Sequence, residues 1–151
     1  MLLKLYQMHK ILIIILTFLS HDVFSQVEIT WQTLSNVEFE DQYIESEDVY
    51  YYYPFFGSEV RDLAGKEVII TGYVLAIDPL KGYYVLSKGP FSSCFFCGVG
   101  GPESIMELNP VDTDTKFKMD EIVTFKGILN LNYDDIYRSN YILDKAEVYQ
   151  W

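Results

Sequence analysis

Hydrophobic and polar positions alternate most regularly over residues 122–132, where Val123, Phe125, Gly127, Leu129 and Leu131 fall on one side and Thr124, Lys126, Asn130 and Asn132 on the other. A period of two predicts a strand with one buried and one wet face. Residues 67–78, rich in Val, Ile and Tyr, predict a long strand. Residues 83–87 predict a short strand across the turn from Pro79 to Gly82, so the two make a hairpin. Residues 105–108 predict a third strand, stopped by Asn109 and Pro110. After the turn-forming stretch 134–140, residues 141–149 predict the last one, and the polar segment 111–121 has room for a helical turn. Adjacent Asp134 and Asp135 read as turn residues rather than as an acid-base pair.

Upstream the pattern is less regular. Residues 27–31 form a candidate short strand, and residues 38–48 carry Glu38, Glu40, Asp41, Glu45, Glu47 and Asp48 without the spacing of a calcium loop, so a solvated face is expected. The aromatic run 50–56 is expected to pack a core or a domain edge. Ser58 is positioned to cap a short helix over residues 59–64, with Gly65 closing it in the left-handed conformation.

Five strands of lengths long, short, short, long and medium, with an irregular link between the third and fourth, predict a mainly β protein. The expected fold is a small, partly open Greek-key barrel of the OB type, with a short N-terminal extension and one short helix. Val68-x-x-x-Gly72-x-Val74 is echoed by Val123-x-x-x-Gly127-x-Leu129, and glycines inside strands mark the corners of such barrels.

The N-terminus adds a targeting signal. Lys4 and Lys10 lead into the apolar run 11–19, followed by Val23-Phe24-Ser25, which predicts a secretory signal cleaved after Ser25. A retained anchor is the rival, but the uncharged run of about ten residues is short of the roughly 20 needed to cross a bilayer. The expected organisation is therefore a signal over 1–25, an extension with acidic and aromatic segments over 26–64, and the barrel over 65–151. Without the signal the charge is 9 − 21 = −12, a surface that repels phosphate backbones and excludes nucleic acid as a partner. Both histidines, His9 and His21, lie in the signal, which removes imidazole catalysis and imidazole-ligated metal.

Both cysteines, Cys94 and Cys97, sit in one loop with Gly98, Gly100, Gly101, Pro102 and Glu103. An exported chain favours a disulfide between them. Redox catalysis would need a helix N-terminus or a cation nearby, and no Lys or Arg lies between Lys88 and Lys116. Two thiolates are half a zinc site, with Glu103, Glu107, water or a second molecule to complete it, whereas copper(I) is satisfied by two soft ligands. Met106 is a candidate thioether but more simply a core residue.

Ile29-Thr30-Trp31, Pro54-Phe55-Phe56, Leu63-x-Gly65-Lys66-x-Val68, Gly72-Tyr73-Val74 and above all Cys94-Phe95-Phe96-Cys97-Gly98 with Gly101-Pro102-Glu103-Ser104 resemble an exported bacterial family, domain of unknown function family 3299. The resemblance implies an OB-like exported protein without an assigned activity.

The expected function is a non-enzymatic exported binding or accessory module of the cell envelope that takes a protein partner or small ligand. The cysteine loop, between the second and third barrel strands, would lie at the binding face, with Tyr73, Tyr83 and Tyr84 as candidate contacts. The alternative is a copper- or zinc-handling or thiol-redox accessory protein, with Cys94, Cys97 and Glu103 as ligands.

Overall fold

A computed structural model describes residues 26–112 and 114–150. Within them lie β1 (Val27–Glu28), α1 (Trp31–Leu34), β2 (Val37–Ile44), β3 (Val49–Phe56), α2 (Ser58–Arg61), β4 (Glu67–Asp78), β5 (Tyr83–Ser87), β6 (Ile105–Pro110), β7 (Glu121–Leu131) and β8 (Tyr141–Val148). The expected signal, residues 1–25, lies outside this range. No helix among the described residues is long and apolar enough to cross a membrane.

All five barrel strands form where the sequence pattern places them, to within a residue or two at their ends. They pair in the order β4-β5-β6-β8-β7, and β7 pairs back onto β4, so the barrel is closed rather than partly open. The β6–β8 pair is parallel, and the other barrel pairs are antiparallel. β4 is long enough to serve both ends of the sheet, pairing with β7 over residues 67–74 and with β5 over residues 73–78. Gly72 lies where β4 passes from one partner to the other, and a Cβ there would come 2.7 Å from the Ser87 carbonyl oxygen and 2.8 Å from Leu86. Gly127 repeats the arrangement against Asp144 and Leu143, at the register shift between β7 and β8. The echo between the two strands thus marks two corners that only glycine fits.

Val68, Ile70, Leu86, Met106, Phe125 and Leu143 fill the barrel, each almost wholly buried. Burying a side chain of this size contributes roughly 1.5–3 kcal/mol. Two polar positions depart from expectation. Asn132, assigned to the wet face, is buried, and the segment 111–121 forms no helix among its described residues.

Residues 26–64 share the barrel's core through Leu34, Phe56, Val60 and Leu63. β1 is shorter than predicted because Thr30 leaves the strand to cap α1, accepting a hydrogen bond from the Thr33 N–H. The extension therefore holds two short helices, not one. In the second, Gly57, whose N–H donates to the Asn36 carbonyl (2.8 Å), takes the cap position and Ser58 becomes the first helical residue. Gly65 has the expected positive φ, 75°. The Tyr141 hydroxyl, its pKa raised by burial, donates to the Leu34 carbonyl (2.6 Å) and ties α1 to β8.

The acidic and aromatic segments are the two halves of one hairpin, with β2 paired to β3 from Val37↔Phe56 to Ile44↔Val49. Only its base packs as core: Phe56 meets Tyr133 and Tyr141 edge-on and tilted, while Tyr43, Tyr50 and Tyr52 are at least half exposed. Of the aromatic run, Phe56 packs in the core and Tyr51 and Tyr53 are part-buried, whereas Tyr50 and Tyr52 stay exposed because a two-stranded sheet offers that face no second layer.

Candidate functional site

Three segments distant in sequence meet around a cleft of about 310 Å³. β3 supplies Tyr51 and Tyr52, the β5–β6 loop supplies Phe95, Phe96 and Pro102, and the β7–β8 loop supplies residues 136–140. Tyr83 of β5 and Ile105 of β6 join them from the barrel. Aromatic rings make up much of this lining, the composition expected of a small-ligand or peptide site.

The β7–β8 loop is shaped from within by Asn132. Its side-chain amide donates to the carbonyls of Asp135 (2.8 Å), Arg138 (3.3 Å) and Ser139 (3.3 Å), and its oxygen accepts from the Asp135 N–H (3.0 Å). Burial is tolerated because nearly every polar valence is filled. The loop is then bolted to the hairpin: the Tyr137 hydroxyl donates to the Glu47 carboxylate (2.9 Å), and the Asn140 amide donates to the Tyr51 hydroxyl (3.0 Å).

Arg138 anchors the same loop to the barrel. Its Nε donates to both oxygens of Glu107 (3.1 and 3.3 Å) while Nη2 reaches Oε1, a two-armed pair in which Glu107 is buried and Arg138 is about a third exposed. The Glu107 carboxylate holds the Arg138 guanidinium in its charged form. Glu107, considered as a metal ligand from the sequence, is therefore engaged by a cation instead. Burial, and then the Glu107 charge, raise the pKa of Tyr83.

The cysteine loop does border this cleft, but through its phenylalanines. Cys94 is buried with Leu75, Val85 and Ile105, and Cys97 is exposed. Both are free thiols, and both Sγ atoms point at the Phe91 carbonyl oxygen, at 3.1 Å from Cys94 and 2.8 Å from Cys97. Loss of hydration, followed by the adjacent Cys94 thiol, raises the Cys97 pKa, and neither cause is a cation. That leaves less thiolate at neutral pH than an ordinary cysteine carries. The loop is fixed at its start by the Phe91 N–H donating to Asp120 (2.7 Å), and it runs through three 3₁₀ turns, the second closed by Gly98 at φ 74°.

Of the predicted binding-loop residues, Pro102 lines the cleft, and Gly98, Gly100, Gly101 and Glu103 do not. No group of three or more His, Cys, Asp or Glu stands close enough to hold a metal among the described residues, so Glu103 is not assembled with Cys94 and Cys97. Met106 is core. Among the predicted aromatic contacts Tyr83 lines the cleft, whereas Tyr73 lies elsewhere on β4. Tyr84 is a correction: it is 2% exposed, packed edge-on against Phe117, and its hydroxyl is the one buried side-chain polar atom among the described residues without a partner.

Tyr51, Tyr52, Arg138 and Asn140 were missed. The legible signal was the tyrosine run opposite an acidic stretch, which is a hairpin pattern once the turn between Ile44 and Val49 is recognised. A second hollow, of about 280 Å³, lies beside Phe117 and Val148. Its polar members are paired among themselves or with the barrel surface, Asp112 with Thr115 and Glu147 with Lys126.

The fold and site define a closed five-stranded barrel of OB type with an aromatic cleft on its second-strand side. No family model and no curated protein matches the chain. It is similar to a DUF3299 family protein from Pseudomonas aeruginosa PAO1, whose crystal structure aligns with a TM-score of 0.47 and 15% identity over 84% of this chain and 98% of that one. This is the family that the cysteine loop resembles.

Proposed function

We propose that the protein is a non-enzymatic, exported OB-type binding module that takes a protein partner or small ligand in the cleft between hairpin, β5–β6 loop and β7–β8 loop. The observation that supports it most is the convergence of Tyr51, Tyr52, Phe95, Phe96 and Tyr137 on one cleft, with Tyr51 and Tyr137 held by hydrogen bonds and Phe95 and Phe96 packed edge-on against each other. The test is amide chemical-shift mapping of the purified chain against a panel of basic, acidic and proline-rich peptides and neutral oligosaccharides. At least one class should perturb Tyr52, Phe96, Tyr137 and Asn140 together. Silence of those amides toward every class would overturn the proposal.

A second reading, a copper-, zinc- or thiol-handling accessory, draws support from the two sulfurs that share the Phe91 carbonyl. It requires the reduced chain to take up copper(I) or zinc with protection of both thiols from alkylation, and fails if neither metal protects them.

A further inference from the structure

The hairpin carries an exposed aromatic strip that runs into the cleft. In the β2–β3 register Asp41 faces Tyr52 and Tyr43 faces Tyr50, and residues two apart share a face, so Phe39, Tyr52, Tyr43 and Tyr50 line up on one side. Phe39 and Tyr52 have ring centroids 6.2 Å apart, and Tyr43 and Tyr50 5.2 Å. Tyr50 is 73% exposed, Tyr52 55% and Tyr43 50%, and Tyr52 belongs to the cleft as well. From Phe39 to Tyr43 the strip covers four residue steps, so it spans roughly 14 Å at about 3.4 Å per residue before Tyr52 carries it into the cleft. Strip and cleft joined through Tyr52 suit a short extended peptide of several residues.

Charge decides what kind of peptide. Between residues 37 and 56 there are six carboxylates and no Lys, Arg or His, on a chain that carries −12 without the first 25 residues. Asp41 lies on the strip itself, Glu45, Glu47 and Asp48 sit at the turn, and Glu38 and Glu40 project from the opposite face of the hairpin. The nearby Arg138 does not offset this, because its guanidinium is held by Glu107. Tyrosine faces bordered by carboxylates favour guanidinium and ammonium groups, which stack on the rings and pair with the acids. They repel acidic chains, and a neutral sugar would use the rings without the carboxylates.

Building on the cleft as binding face, we propose that strip and cleft together bind an extended, cationic, arginine- or lysine-bearing segment of a partner protein. The experiment is fluorescence anisotropy of the full chain with a labelled arginine-glycine repeat peptide, against a glutamate-glycine repeat and a neutral β-linked oligosaccharide. The arginine peptide should bind, and weaken as salt rises from low to physiological strength. Tyr50→Ser and Tyr52→Ser, both at exposed positions, should each weaken it about 2- to 5-fold. Tyr73→Ser, on β4 away from the cleft, should leave it unchanged.

Binding of the oligosaccharide in place of the arginine peptide would overturn the cationic assignment while leaving the cleft as a binding face. Binding of the arginine peptide that ignores both tyrosine substitutions would also overturn it, as mere attraction to an acidic surface. No binding of the arginine peptide overturns it outright, and the shift mapping above then decides the cleft separately.

Discussion

The barrel and the hairpin are both antiparallel sheet for the most part, yet they use aromatic residues in opposite ways. Tyr84, Phe125 and Tyr141 are buried to within 2% of completely, whereas Tyr43, Tyr50 and Tyr52 stand at least half in solvent. The residues differ little, and what differs is closure. β7 returns to β4 and gives every inward side chain a layer to pack on, while β2 and β3 have only each other. A two-stranded hairpin is marginal alone, so its position depends on the bonds to the β7–β8 loop and on Phe56 at its base. The lesson is that one region spends its aromatics on stability and the other leaves them available for contact.

The largest test of that contrast pairs two deletions. Phe125→Ala should cost about 3–5 kcal/mol in urea unfolding, and Tyr52→Ser no more than about 0.5 kcal/mol. Equal costs would mean that the hairpin is packed after all. Next, Arg138→Met would leave Glu107 buried without its cation. A fully buried pair broken in this way costs about 3–5 kcal/mol, and the partial exposure of Arg138 brings the expectation to about 2–3 kcal/mol. Restoring stability with Glu107→Gln in the same chain would show the loss to be that of an uncompensated carboxylate.

How far the sequence reveals this division follows from which signals have a period. β7 was legible from its alternation and the other barrel strands from short apolar or β-branched runs bounded by turn residues, and even the corner glycines showed as an echo at Gly72 and Gly127. The position of the cysteine loop between β5 and β6 was legible from strand order. The hairpin was not, because Asp41 interrupts the alternation of β2 and four consecutive tyrosines on β3 resemble a buried run. Asn132 and Arg138 were illegible for a different reason: each acts alone, through partners supplied by the turn it organises or by a distant strand. Reading Asn132 by its place in the alternation put it in water, when its side chain in fact fills the inside of a loop.

Smaller effects sharpen the picture. Tyr84→Phe removes a buried hydroxyl that has no partner, so thermal unfolding should show no loss of stability and a gain of up to about 1 kcal/mol. A loss would reveal a hydrogen bond at that hydroxyl. The smallest effect is kinetic. Because the Cys97 pKa is raised, alkylation by iodoacetamide at neutral pH should be slower than for a free cysteine and should accelerate as pH rises past the ordinary thiol range, while buried Cys94 reacts only on unfolding. Fast modification of Cys97 at neutral pH would restore the loop as a thiol-reactive site.

The most direct test of the cleft as binding face, with the cysteine pair as its support, is the same peptide titration on two single variants, Tyr137→Ala and Cys97→Ser. Both positions are exposed, so both chains should fold. Weakened binding with Tyr137→Ala and unchanged binding with Cys97→Ser is the predicted result. Unchanged binding with Tyr137→Ala and loss with Cys97→Ser would contradict it and move the function to the thiols.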